Sequence, residues 1–266
     1  MTHIPRKRFG QNFLHDHNII HSILSSIQAF SDEHWVEIGP GQGALTGPLL
    51  KQVSRLDVVE LDRDLVVLLK DKFKQQAHLR IYSADALNFD FSSLVEGNEK
   101  LRIIGNLPYN ISTPLMFHLL SYASFIKDMH FMLQKEVVDR ICAGPGSKKY
   151  GRLSVMMHYH CAVEALLDVP PESFDPVPKV MSAIVRLVPL QHPPVQVNNM
   201  NSFNQVVTQA FSQRRKTLRN SLKKLIDEKD FVKLNIDPTM RSEGLSLNDF
   251  AKLSNLLQND HVSATI

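Results

Sequence analysis

Cysteine and tryptophan are scarce in this 266-residue chain, and neither of its two cysteines, Cys142 and Cys161, has a CxxC partner or zinc-ligand neighbours. That spacing excludes a zinc ribbon or a disulfide-stapled secreted scaffold, so reduced thiols in a cytoplasmic protein are expected. Long apolar runs are missing too: no stretch approaches the roughly 18 residues that a membrane helix requires. The start "MTHIPRKRFGQNFLHD" is basic but holds no signal-type apolar core, and Asp16 is out of place in an organelle leader. Charge of one sign is not in large excess. With 30 Lys and Arg against 27 Asp and Glu, a net +3, a nucleic-acid partner has to be argued from where the charge lies. Internal repeats and low-complexity tracts are absent. The 12 histidines are scattered, and neither "HDH" at 15–17 nor "HYH" at 158–160 has metal-ligand spacing, so no metal is expected.

What is present is an alternation of two periods. "IIHSILSSIQA" places Ile20, Ile23, Leu24 and Ile27 on one helical face, and "HWVEI" follows as a buried strand running into "GPGQG". "RLDVVELD", "LRIYSADA", "LRIIGNLPY" and "DMHFMLQKE" predict further strands, separated by helical stretches such as "DRDLVVLLKDKF" and "TPLMFHLLSY". Strands and helices in turn predict an α/β fold with a mostly parallel sheet. "HYHCAVEALLDV" and "VMSAIVRLVPL" predict extra strands and an antiparallel edge. The prolines and asparagines of 190–199 mark a linker between a domain at 1–189 and a small all-α domain at 200–266, whose apolar stripe is Val207, Phe211, Leu218, Leu222 and Leu225.

"VEIGPGQGALTGPLL" puts Gly39, Gly41 and Gly43 at a strand-to-helix turn, where the backbone can approach a ligand. Roughly twenty residues on, Glu60 ends the next strand, placed to accept from both ribose hydroxyls of an adenosine-containing cofactor. The glycines leave two cofactors open. Gly39, Gly41 and Ala44 fit a nicotinamide enzyme, and Gly39, Gly41 and Gly43 fit S-adenosylmethionine (SAM). Asp85, after the third strand, is either an acceptor for an adenine amine or a helix cap.

"NLPY" lies at the end of the fourth strand, beside the same cleft. The amine of adenine is a poor nucleophile because its lone pair is delocalised. The Asn106 side-chain oxygen and a carbonyl of the Leu107–Pro108 turn can accept its two N–H bonds and turn that lone pair toward a methyl donor. Pro108 stiffens the turn, and Tyr109 offers a stacking face. Phe174, in the proline-rich "PPESFDPVPKV", is placed to cover the other face of the base.

"RKRFGQNFL", "VEIGPGQGALT", "NLPYNISTPL", "FDPVPKVMSAIVRL" and "FSQRRKTLRNSLK" occur in the order seen in the bacterial small-subunit (16S) ribosomal RNA adenine dimethyltransferases, which the chain resembles over most of its length. The resemblance implies a class I SAM-dependent, Rossmann-like fold with a seven-stranded sheet. It implies N6,N6-dimethylation of two adjacent adenosines near the 3′ end of 16S ribosomal RNA, in the small (30S) subunit or its precursor; nothing in the sequence suggests an obligate oligomer, so a monomer is expected. It places Asn12, Leu14, Gly39, Gly41, Glu60, Leu61, Asp85, Ala86 and Asn106 around SAM, and Asn106, Leu107, Pro108, Tyr109 and Phe174 around the adenine. The macrolide-resistance methylases share the NxPY theme; "FDPVPKV" and the basic helix look like the small-subunit group.

Between residues 201 and 229 there are seven Lys or Arg against two acids. A continuous helix there sets Arg215, Arg219 and Lys223 on one face beside Lys216 and Lys224, and with Arg214 this makes a surface suited to RNA phosphates. Lys148 and Lys149 in "GPGSKKYGR" and Arg6, Lys7 and Arg8 in "RKRF" extend it. Three other readings stay open: a nicotinamide oxidoreductase, which leaves "NLPY" unused; a protein-glutamine methyltransferase, since the clamp also suits a planar amide; and an assembly factor that binds precursors without catalysis.

Overall fold

Asp16 opens the first helix by accepting from the backbone N–H of Asn18 (2.8 Å) and Ile19 (3.2 Å), in a computed structural model that describes residues 11–108 and 111–257. A short strand, Phe13–Leu14 (β1), precedes that helix, His17–Ile27 (α1), which buries Ile20, Ile23, Leu24 and Ile27 as the spacing predicts. There follow His34–Ile38 (β2), Thr46–Leu49 (α2), Arg55–Glu60 (β3), Arg63–Lys72 (α3), Leu79–Ser83 (β4), Leu101–Asn106 (β5), Ser112–Leu120 (α4) and Ile126–Gln134 (β6). Lys135–Cys142 (α5), Arg152–His160 (α6), Cys161–Val169 (β7), Phe174–Asp175 (β8) and Ser182–Pro189 (β9) complete the sheet region.

Seven strands form one sheet in the order β4-β3-β2-β5-β6-β9-β7. The pairs from β4 through β6 are parallel, and β9 joins β6 antiparallel. The order turns outward between β2, every residue of which is buried, and β5, the place where α/β sheets leave a crevice beyond their strand ends. The predicted α/β class and antiparallel edge are therefore present.

Two compact units divide the chain: residues up to Val138 with Val163–Pro189, and Asp139–Ala162 with the chain from Leu190 on. A single boundary at 189 therefore misses 139–162. Part of that stretch is α6, where the sequence predicted a strand through His158–His160; the strand begins only at Cys161. Helix α6 buries Leu153, Val155, Met156, Met157 and Tyr159, so it is apolar nearly all round and carries no amphipathic period to read. Both cysteines are free, and burial pushes the Cys161 thiol up to about 12.

In the second unit Asn199 caps Met200–Phe211 (α7), which buries Phe203, Val206 and Val207; Phe211 lies 5.6 Å from Phe250 of the last helix, and Tyr159 5.1 Å from Phe203, between ring centres. The predicted continuous helix through the basic run is absent. Helix α7 stops at Phe211, and Leu218–Ser221 (α8), Glu228–Lys233 (α9) and Leu247–Leu256 (α10) are separate pieces. Thr217 bridges to Arg241, Leu218 N–H donates to Met240 O (2.9 Å), and Arg219 N–H to Pro238 O (3.1 Å). These bonds take the donors that a longer helix needs.

At the end of the sheet away from the crevice, Arg102 of β5 is buried. Its guanidinium donates to both Asp128 oxygens (2.8 and 2.9 Å), to Glu33 (2.7 Å) and to the carbonyls of Ile27 (2.8 Å) and Gln28 (3.0 Å), and lies 4.3 Å from the Trp35 ring centre. One side chain thus ties the C-terminus of α1 to the sheet. Replacing it with Met leaves the buried Asp128 with only the Arg186 cation (3.2 Å) and Glu33 with only that of Lys127 (2.7 Å); urea unfolding at pH 7 is expected to show a loss of about 3–5 kcal/mol. A loss within the about 1 kcal/mol of a surface pair contradicts this role.

Burial acts to raise the Glu33 carboxyl, but bonds from Lys127, Arg102 and the Phe30 N–H outweigh it and bring it from 4.5 to about 2. The folded value is below the unfolded one, so the stabilisation is complete above pH 4.5 and is lost as pH falls toward 2. Acid titration of stability is expected to be shallower over that window in Glu33→Gln than in the wild type; equal slopes reject the assignment.

Candidate active site

Strands β2 and β5 approach closely where the order turns outward. Ile38 pairs with Gly105, and a Cβ on Gly105 would meet the Ile38 carbonyl at 2.6 Å. Only glycine allows this approach, and it sets the two strand ends, Gly39 and Asn106, side by side. Beyond β2 the chain turns through Gly41 with φ +57°, where a Cβ would also touch the Phe13 ring at 3.0 Å, so an L side chain is excluded there on both counts.

Past these ends lies a cavity of about 360 Å³. Its walls are Gly39 and Gly41 after β2, Glu60 and Leu61 at the end of β3, Asp85 and Ala86 after β4, Asn106 to Pro108 at the end of β5, and Asn12 and Leu14 from the N-terminal segment. The structure thus brings together all nine residues expected around the cofactor. Glu60 is held by Gly41 N–H (3.2 Å) on one oxygen and Asp62 N–H (2.9 Å) on the other; burial raises its carboxyl, with the Asp62 charge adding to the rise. Asp85 accepts from Leu87 N–H (3.0 Å) and Asn88 Nδ2 (2.9 Å), so it shapes its turn and faces the cavity as well.

Asn106 donates Nδ2 to the Asn12 carbonyl at 3.0 Å, which uses its amine end and leaves Oδ1 as its acceptor. Leu107 N–H donates to Met132 O (3.2 Å), anchoring the turn to β6. The Pro108 carbonyl is occupied by Ile111 N–H at 3.1 Å, whereas the Leu107 carbonyl accepts from none of the described residues. Asn106 Oδ1 and Leu107 O are therefore the two acceptors available at this strand end.

Phe174 is not brought to the cavity. As strand β8 it pairs with Leu14 of β1, and its ring is buried in the core around Leu14, Trp35 and Met132. The proline-rich flanks suggested a loop; the backbone pairing with β1 makes it a strand. Tyr109 lies outside the described residues, as do Arg6, Lys7 and Arg8.

Sequence reading missed Glu37, which lines the cavity from β2 and receives a 2.6 Å hydrogen bond from Thr46 Oγ1, and also Gln11 and Phe13. The acid in "VEIG" was the available signal, hidden in an otherwise apolar strand. Glu37, Glu60 and Asp85 all line the cavity, and no Lys or Arg does so among the described residues. Such a donor set accepts a cation-bearing adenosyl group. It repels the pyrophosphate of a dinucleotide, which also finds only the four-residue α2 after the glycine turn.

In the second unit Arg214 donates to the Lys148 carbonyl, joining the basic loop to the chain after α7, and Lys149 pairs with Asp139 (2.6 Å). Arg215, Lys216, Arg219 and Lys223 are exposed, with Arg219 3.6 Å from Glu228. Among the described residues no group of three His, Cys, Asp or Glu side chains has metal-holding geometry, and no helix is long and apolar enough to cross a membrane.

Residues 2–259 match the family described as ribosomal RNA adenine dimethylase. The chain is 56% identical over 255 residues to ribosomal RNA small subunit methyltransferase A of Pseudomonas aeruginosa, covering 96% of this chain and 95% of that one. It is 56% identical over 253 residues to the protein of the same name in a Marinomonas strain, covering 95% of each. Among solved structures it resembles a dimethyladenosine transferase of Plasmodium falciparum (TM-score 0.78, 25% identity, 94% and 98% of the two chains). The 23S rRNA methyltransferase ErmE shares the fold (TM-score 0.72, 23% identity, 93% and 100% covered). The chain belongs to the ribosomal RNA adenine dimethylase family of SAM-dependent methyltransferases.

Proposed function

We propose that this enzyme dimethylates the N6 atoms of two adjacent adenosines near the 3′ end of 16S ribosomal RNA, working as a cytoplasmic monomer on the small ribosomal subunit or its precursor. The names of its bacterial relatives support the substrate, and the pair of acceptors left open among the described residues at the end of β5 carries the chemistry. When bound, SAM supplies an electrophilic methyl group on a sulfonium. Glu60, preset by two backbone N–H groups, takes the ribose hydroxyls, and Asp85 takes the adenine side of the cofactor. Asn106 Oδ1 and Leu107 O accept the two N–H bonds of the target amine, which localises the nitrogen lone pair and aims it. Pro108 limits the turn that holds the Leu107 carbonyl. Each methylation makes the nitrogen acidic, and its proton passes to water, so no side-chain base is assigned.

An adenosine reaches this buried clamp only unstacked from its neighbours. Tyr109 is the stacking face in this reading. The second unit supplies RNA affinity through Arg214, Arg215, Lys216, Arg219, Lys223 and the Lys148–Lys149 loop, with Arg6, Lys7 and Arg8 adding to it.

Unmethylated small subunits incubated with the protein and labelled SAM are expected to gain methyl groups on two adjacent adenosines, located by mapping the modified nucleotides. Asn106→Ala is expected to lower methyl transfer by about 10²–10³-fold, the effect of removing a preorganised polar contact, while RNA binding is kept. Undiminished activity in that variant defeats the clamp. Label on protein glutamine, seen by mass spectrometry, supports the protein substrate instead. Arg215→Glu with Arg219→Glu is expected to weaken RNA binding and to reduce the slope of log affinity against log salt by roughly 1–2. An unchanged slope refutes their phosphate contacts.

A further inference from the structure

Of the three carboxylates in the cavity, Glu37 is the one that the chemistry above leaves unused. It is only 2% exposed. Thr46 Oγ1 donates to Oε2 at 2.6 Å, and the other oxygen has no hydrogen-bond partner among the described residues. That oxygen is not sealed in the core, since Glu37 lines the cavity and is not among the buried side chains with an orphaned polar atom. A carboxyl in this position is available to whatever the cavity holds. The charged groups that act on it are Glu60 from β3 and Lys72 on α3, whose ammonium is bound to the Gln42 carbonyl at 2.7 Å, and Asp85 after β4 lines the same cavity. β5 presents only the neutral Asn106 there.

Resting on the reading of SAM as the methyl donor, we infer that Glu37 sets the cavity's preference for the cationic donor over its neutral demethylated product, holding a negative charge with the former and a proton with the latter. Methyl transfer breaks a carbon–sulfur bond, and the sulfur keeps that electron pair as a neutral thioether. The adenine nitrogen forms the new bond and releases one proton to water, so charge is conserved. The ligand in the cavity thereby loses its sulfonium charge, while Glu37 and Glu60 remain. Two carboxylates in a site poor in water repel each other once no cation lies with them, and the group with fewer donors takes up a proton. Glu60 has two backbone donors; Glu37 has one hydroxyl. Burial, aided by the Glu60 charge, raises the Glu37 carboxyl to about 7 against the opposing Thr46 bond and Lys72, within reach of ordinary working pH. Below that value the acid is neutral and the site loses its bias toward a cation.

The test is calorimetric titration of the full-length protein with SAM and, separately, with S-adenosylhomocysteine, between about pH 6 and about pH 7.5, in buffers of different ionisation heat. With a carboxyl titrating near 7, the ionised fraction rises from about 0.1 to about 0.75, so SAM affinity is expected to rise about sevenfold in the wild type, with proton release on binding. S-adenosylhomocysteine, with which Glu37 keeps its proton, is expected to lose about fourfold in affinity on the same fractional arithmetic, with proton uptake on binding. Glu37→Gln removes the carboxyl while leaving the ligand's own titration in place, and is expected to flatten the SAM and the S-adenosylhomocysteine profiles alike. Thr46→Val keeps the carboxyl but removes its donor, and is expected to move the SAM midpoint to higher pH. A wild-type SAM profile without this rise overturns the inference, as does a Glu37→Gln profile that retains it; the wild-type profile and proton count decide alone if the variants do not fold. Absence of SAM binding at every pH overturns the cofactor reading along with it.

Discussion

The contact between β2 and β5 at Ile38 and Gly105 governs the rest of this molecule. With no side chain on Gly105 the strands close until a Cβ would lie 2.6 Å from the Ile38 carbonyl, and this brings the glycine turn and the Asn106 amide to one cavity. The cofactor wall and the substrate clamp come from stretches separated by more than sixty residues of chain, roughly the distance that a right-handed crossover on each side of a central strand imposes. A bulkier residue at 105 parts the strand ends, and the reacting groups separate with them.

The two ends of that sheet deal with buried charge in opposite ways. At one end Arg102 is saturated: its donors meet Asp128, Glu33 and the carbonyls that end α1. Each charge here has more than one partner, since Asp128 also meets Arg186 and Glu33 also meets Lys127. At the other end the carboxylates are only partly satisfied. Glu60 is held by backbone donors, Glu37 by one hydroxyl, and no lining Lys or Arg balances them among the described residues. Strand β5 connects the two regimes within five residues, from Arg102 to Asn106, so the clamp sits on the strand that Arg102 anchors.

How legible each part was depends on whether its pattern is local. Ile20, Ile23, Leu24 and Ile27 were readable as a buried face because α1 has one wet side. Helix α6 was not, since it is enclosed nearly all round and a helix without a polar stripe leaves no period. The basic run looked like one helix because seven cations among polar spacers are compatible with helical geometry. Hydrogen bonds from Leu218 and Arg219 to residues some twenty positions later break it, and no local propensity encodes those.

Sequence by itself determined the class of fold, the glycine turn, and the set of Glu60, Asp85 and Asn106 around one crevice. These follow from short motifs at strand ends, and parallel sheets gather strand ends at one edge. Tertiary structure decided what those motifs exclude and add. Pairing with β1 carried Phe174 into the core, although its flanking prolines suggested a loop. Depth raised the Glu37 carboxyl, an acid that looks like a mere neighbour of the glycines until its burial beside Glu60 is known. Burial and charge balance are sums over all the groups that surround an atom, and those groups are assembled only when the chain has folded.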